Sequence, residues 1–234
     1  MRRFYKDVTV APADGGWRVL LDGRGIKSAG GRPQVLPTCA LAEAMAGEWA
    51  SQGEEIDTAG FILRDLADYA IDVVAAERSD AIRSLVAYAG TDTLCYRAEP
   101  DEPLRECQEE VWEPLLHTAE QRWDIHFERI DGIMHRPQPA ATLARMEAVL
   151  AAESDQALAA LRTLTSLAAS LVIALAALAP EAEAEALWDA ANLEEDWQAG
   201  LWGKDAEAKA RRERRFAAFA AAMRFAALAR DTGA

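Results

Sequence analysis

Histidine and cysteine are both scarce in this chain, and those present are poorly placed for metal chemistry. His117, His126 and His135 have no partner four positions on, the spacing that would put two imidazoles on one helix face. Cys39, Cys95 and Cys107 cannot all pair and show no metal-ligand spacing. No metal and no cofactor is expected, and three such thiols suit a reducing compartment. The G-x-x-x-x-G-K-S/T phosphate loop is absent. Gly23, Gly25, Gly30 and Gly31 lie in a turn-rich stretch and do not follow the dinucleotide pattern. No G-x-S-x-G nucleophile elbow occurs. Positive charge is short as well: 25 Lys and Arg stand against 39 Asp and Glu, a formal charge of −14. Phosphate binding needs clustered cations, so nucleic acid is not expected as a partner. The one basic cluster, Lys209, Arg211, Arg212, Arg214 and Arg215, reads as a solvated helix face paired with Glu207 and Glu213.

Long apolar runs are missing too. The longest, Leu164 to Ala179, contains Thr165, Ser166 and Ser170 and stops at Pro180. It is shorter than the ~20 residues that cross a bilayer, so it reads as a buried central helix and no membrane insertion is expected. Arg2 and Arg3 have no apolar stretch behind them, and there is no long Ser/Arg-rich leader. A bacterial cytoplasmic protein is expected.

What is present is a chain that changes period. Half of its residues are hydrophobic, enough for a sizeable core. Tyr5–Val10 and Trp17–Leu21 read as strands, with turns at Asp14-Gly15-Gly16, Asp22-Gly23 and Gly30-Gly31. Thr38 is a candidate N-cap for a helix through Gln52, with Leu41, Met45 and Trp49 as its core stripe. Beyond residue 61 the period is helical. Leu63, Leu66, Ala67, Ala70, Ile71 and Val74 form one stripe, and Ile82, Leu85, Val86 and Ala89 another. Short strands are expected at 92–96 and 126–130. A helix from Asp101 carries Leu104, Cys107, Gln108, Val111, Trp112, Leu115 and Ala119, with Pro114 inside it. Helices at 139–152, 155–179, 181–202 and 205–230 complete the chain. The expected fold class is α+β: a small strand-rich α+β domain over 1–75, then a larger all-α domain over 76–234.

The segment Leu193 to Gly203 carries the sharpest anomaly. On a single helix over 181–202, at ~100° per residue, Asp189, Asn192, Asp196 and Glu185 fall on the polar side. Glu194 then falls in the apolar arc, with Gln198 beside it and Glu195 near the margin. A buried carboxylate or amide is costly unless paired. Either neighbouring helices hold these groups and only fix packing, or a partner does. Gln108 repeats the anomaly on its own helix. Asp72 and Asp92 read as local caps or strand-end bonds, with a functional role left open. Trp49, Trp112, Trp188, Trp197 and Trp202 read mainly as core, although Trp is favoured at interaction hot spots.

Leu193-Glu194-Glu195, Gln198 and Trp202-Gly203 together resemble the signature of the ATP-twelve family, assembly chaperones for the catalytic sector of F-type ATP synthase. Arg3-Phe4-Tyr5-Lys6, Leu21-Asp22-Gly23-Arg24, Leu36-Pro37, Glu48 to Gln52, Ala70-Ile71-Asp72, Tyr88 to Tyr96, and Gln108 through Trp112 to Pro114 follow in the family's order. The chain departs from the family's Pro near Gly25 and its Thr-Pro near Ser28-Ala29. The resemblance implies a non-enzymatic chaperone whose client is the unassembled alpha subunit. It makes Glu194, Glu195, Gln198 and Trp202 the candidate partner-binding residues, supported by Gln108, Asp72 and Asp92. Two other readings stay open: a small metal-free enzyme with Glu194 or Glu195 as acid/base, and a generic helical adaptor. Adjacent helix residues diverge by about 100°, so the two carboxylates cannot easily face one bond together.

Overall fold

The computed structural model describes residues 1–132, 134–202 and 206–230, the side chains of Trp202 and Ala206 apart. The chain forms two compact units. The first comprises Met1–Arg78, Ser154–Ala160 and Ala221–Ala234; the second comprises Ser79–Glu153 and Leu161–Ala220.

The first unit is built on an antiparallel sheet of order β1-β2-β3: β1 (Val8–Ala13), β2 (Gly16–Leu21) and β3 (Arg24–Gly25). Asp22 and Gly23 both have positive φ, 48° and 77°. They close β2 onto β3 as a two-residue turn of the type that matches strand twist. The first strand starts later than Tyr5. Tyr5 is instead buried, with its hydroxyl donating to the Trp49 carbonyl at 2.7 Å. Pro12 is tolerated in β1 because that strand is the sheet's edge. Helix α1 (Cys39–Ala50) has the expected cap: Thr38 Oγ1 accepts the Leu41 N–H at 3.1 Å. Leu41, Met45 and Trp49 are buried, as the fourfold spacing requires.

Helix α2 (Ile62–Tyr69) runs into a π-helical turn, Ala70–Val74, in which the Ala75 N–H bonds to the Ala70 carbonyl. The widened turn shifts the apolar stripe, so Ala70 and Val74 are buried while Ile71 is only half-buried.

The second unit holds most of helix α3 (Arg78–Gly90), then a 3₁₀ turn, Thr93–Cys95, where the expected strand at 92–96 begins. Only Tyr96–Arg97 (β4) is extended. It pairs in parallel with β5 (Ile130–Asp131), which replaces the longer strand expected from His126. Helix α4 (Pro103–Trp123) starts on Pro103, whose fixed φ suits a first turn, and continues through Pro114. Helices α5 (Ala140–Ala151), α6 (Asp155–Ala168), α7 (Leu171–Ala176), α8 (Ala184–Ala191), α9 (Leu193–Trp202) and α10 (Ala206–Arg230) follow.

Two helices read as continuous in the sequence are broken. The expected rod 155–179 ends at Ala168. Ala169 adopts a left-handed φ of 50°, and Ser170 caps the short helix α7 by accepting the Ile173 N–H at 3.1 Å. Asp92 secures the break from outside, with Oδ2 accepting the Val172 N–H at 3.0 Å. The expected helix 181–202 is interrupted at Asn192 (φ −111°, ψ 16°), which is buried and donates its side-chain N–H to the Trp188 carbonyl at 2.7 Å. An amide that bonds back to the preceding turn competes with helix continuation. Among the described residues no helix is long and apolar enough to cross a membrane.

Candidate functional site

The break at Asn192 re-phases the signature segment. The single-helix wheel put Gln198 on the apolar arc beside Glu194, but Gln198 is exposed on α9, as is Glu195. Glu194 is half-buried rather than fully withdrawn. It is held from the neighbouring α4: Gln108 Nε2 donates to Glu194 Oε1 at 2.6 Å. Gln108 is completely buried, and its Oε1 accepts the Ala98 N–H at 2.8 Å, so both ends of the amide are used. Four residues along α4, the fully buried Trp112 donates its indole N–H to the Ala190 carbonyl at 2.8 Å. Spacing of one turn on α4 thus ties both the end of α8 and the start of α9 to the same face. Glu194 and Glu195 do not converge. The Glu195 carboxylate lies 3.9 Å from Arg215. Trp202 ends α9; its side chain, and Gly203, lie outside the described residues.

Beside this pair runs a trough of about 460 Å³ lined by α8, α9 and α10. Its apolar floor is Trp188, Phe216, Ala199 and Ala208, and its walls carry Glu185, Asp189, Glu195, Asp196 and Glu213 against Lys209 and Arg212. Trp188 is buried and stacks on Phe216 and Phe219 at 6.0 and 5.5 Å. Its indole N–H has no partner among the described residues. The basic cluster of α10 is more than a solvated face. Arg212 reaches across to Asp196 at 2.5 and 2.6 Å and to Asp189 at 3.2 Å. Arg215 donates to the Leu167 carbonyl at 3.0 Å and lies 5.5 Å from the Trp188 ring. Among the described residues, Lys209 and Glu213, at 4.0 Å, make the expected pair along the helix.

Asp72 and Asp92 are remote from this trough in role. Asp72 accepts the Ser28 hydroxyl and the Gly30 N–H, both at 2.7 Å. Asp92 is completely buried and accepts the Leu94 N–H at 3.1 Å as well as that of Val172. Burial pushes its carboxyl up to about 6, against the opposing bonds from Val172, Ser170, Leu94 and Leu171.

The sequence reading missed a charged network under α4. Arg129 forks onto Glu113 at 2.7 and 3.1 Å and reaches Glu120 at 3.3 Å. Arg97, with no exposed side-chain surface, donates to Glu113 at 2.8 Å, and its Nε has no partner among the described residues. The two guanidiniums, Arg129 foremost, hold the Glu113 carboxyl down at about 2. A signal existed: Arg97 and Arg129 each stand beside a short apolar strand segment, and Glu113 lies one position from the Trp112 stripe. Among the described residues no group of three or more His, Cys, Asp or Glu could hold a metal.

Known proteins share this fold. A family model described as ATP12 chaperone protein matches residues 2–120. The mitochondrial protein atp12 of Schizosaccharomyces pombe is 26% identical over 214 residues, 86% of this chain and 74% of that protein. The crystal structure of Atp12 from Paracoccus denitrificans is 36% identical and superposes with a TM-score of 0.92 over 98% of each chain. The Atu1473 protein of Agrobacterium tumefaciens gives the same identity and TM-score over 97% of this chain and 85% of that one.

Proposed function

Because the chain belongs to the ATP12 chaperone family, we propose that it is an assembly factor for the catalytic sector of F-type ATP synthase and shields the unassembled alpha subunit until the beta subunit replaces it. A subunit awaiting its partner exposes an interface that is normally buried, and such apolar patches aggregate. Covering the patch and then yielding it requires a surface, not a reaction. The observation that carries this reading is the trough beside Glu195, which pairs an aromatic floor with exposed carboxylates and lies at the solvent-facing edge of the signature helix. In this reading Glu195, on the trough wall, and Gln198, exposed elsewhere on α9, meet the client. Glu194, tied to Gln108, sets the position of α9. The working compartment in this reading is the bacterial cytoplasm, with all three cysteines as free thiols.

An acid/base enzyme is disfavoured by the divergence of Glu194 and Glu195, one turned to α4 and the other towards Arg215. The test is light scattering of isolated alpha subunit with and without this protein. Suppressed aggregation, reversed in favour of the alpha–beta complex when beta is added, is the expected result. Equal scattering in both samples refutes it. Calorimetry with ATP and magnesium on the protein alone should show no specific binding; saturable binding with turnover would restore the enzyme reading.

A further inference from the structure

The first 36 residues hold seven Lys and Arg against three Asp, the reverse of the chain's overall balance. They build most of a second cavity, in the first unit and distinct from the trough. It measures about 610 Å³. Its floor is four buried side chains, Tyr5, Leu21, Ile26 and Trp49, and the indole N–H of Trp49 has no partner among the described residues. Phe4 stands at the rim, 63% exposed, an unusual position for a phenylalanine that also packs edge-on against Tyr5 at 5.3 Å.

The charges at this rim are not equally free. Asp22 is committed to the backbone, accepting the N–H groups of Lys6 at 3.0 Å and Asp7 at 2.8 Å. Asp68 is committed likewise, to the Ala29 N–H at 3.1 Å and to the Gln34 amide. Arg64 bonds to Asp65 at 3.0 and 2.5 Å and stacks on Phe61 at 4.4 Å. Arg24 and Lys27 are exposed and enter no ion pair among the described residues. The lining carries three cations, Arg24, Lys27 and Arg64, against the two carboxylates Asp22 and Asp68; Arg64 is drawn to Asp65 and Asp68, which leaves Arg24 and Lys27 as the lining cations able to turn to a partner's carboxylates. The rim is also preformed. Asp68 and Asp72 clamp the loop from Ser28 to Gln34, and a Cβ added at Gly30 would sit 2.7 Å from the Asp72 carboxylate, so the loop is held at closest approach.

We infer that this cavity is a docking site for an extended acidic segment of a partner protein, with one large apolar side chain seated against Trp49 and Phe4 and its flanking carboxylates on Arg24 and Lys27. That the segment belongs to an unassembled client rests on the chaperone reading; the chemistry of the cavity does not. The five carboxylates that line the trough, against Lys209 and Arg212, direct such a segment away from Glu195.

The probe is a short fluorescent peptide with a central Phe among Asp and Glu, set against a counterpart with the same Phe among Lys. The full-length chain should bind the acidic peptide saturably, more tightly than the basic one at this site, and more weakly as salt is added. The double variant Arg24→Glu, Lys27→Glu should weaken binding roughly tenfold or more with an unchanged melting temperature, because both side chains are exposed. Phe4→Ala should weaken it without altering charge. Equal binding by the double variant and the parent overturns the assignment, as does no saturable binding of the acidic peptide. Protection of the alpha subunit is scored separately. Peptide binding without protection overturns the chaperone reading and supports the cavity; protection without peptide binding does the reverse.

Discussion

Replacing Asp92 with asparagine should remove a specific part of the pH dependence of stability. The wild-type carboxyl is raised from 3.8 to about 6 by complete burial, and the groups that oppose the shift are all uncharged. A carboxyl raised on folding contributes stability that is fully present below its unfolded value and is lost as pH rises through its folded value. As pH falls from 7.5 to 5, this one group should therefore stabilise the wild type by about 1.4 kcal/mol. For a chain of this size that is roughly 3–6 °C in melting temperature. The amide side chain of the Asp92→Asn variant cannot titrate, so the difference between the two proteins should change by that amount over the window. The assay is a pair of melting series at matched ionic strength. Parallel curves would refute the reasoning, since they would mean that the Asp92 carboxyl does not change charge in that range. Asp92→Ala should be worse at every pH. It orphans the buried N–H groups of Val172 and Leu94, at roughly 1–3 kcal/mol each.

Glu194→Gln keeps shape and an acceptor for Gln108, and the site is half-exposed, so stability should fall by only about 1 kcal/mol, read by thermal melting. In cells lacking the wild-type copy, recovery of assembled ATPase should nevertheless drop; normal assembly would remove Glu194 from the functional surface. Trp112→Phe loses the bond to the Ala190 carbonyl in a fully buried position. It should cost about 2–4 kcal/mol, read by denaturant unfolding. Arg129→Met withdraws the fork from Glu113, whose carboxyl is held at about 2. A lowered carboxyl gives stability present above its unfolded value and lost as pH falls through its folded value, so the variant should acid-unfold at a higher pH than the parent. Because the Glu113 side chain is 38% exposed, the loss at neutral pH should stay near roughly 1–2 kcal/mol.

Local chemistry was enough to read much of the fold from the sequence. The Asp22-Gly23 turn, the Thr38 cap and the Leu41, Met45 and Trp49 stripe each depend on residues within a few positions of one another. The burial of Gln108 followed from its place in the Trp112 stripe, and the ordered motifs carried the family. The helix breaks could not be read this way. Ala169 has no local reason to turn left-handed. It does so where Thr93, 76 residues earlier, bonds its carbonyl and where Asp92 caps the next helix at Val172, across 80 residues of chain. The break at Asn192 re-phased α9, so Gln198 faces solvent although a single helix would bury it. Which acids are free was likewise a tertiary outcome. Asp22 and Asp68 look like any surface carboxylates in the sequence, yet folding binds them to backbone and amide N–H groups, while Arg24 and Lys27 enter no ion pair among the described residues. Periodicity fixes which face of a helix is apolar only while the helix stays unbroken. Where it breaks, and which charge is left unpaired, depends on bonds between residues far apart in the chain.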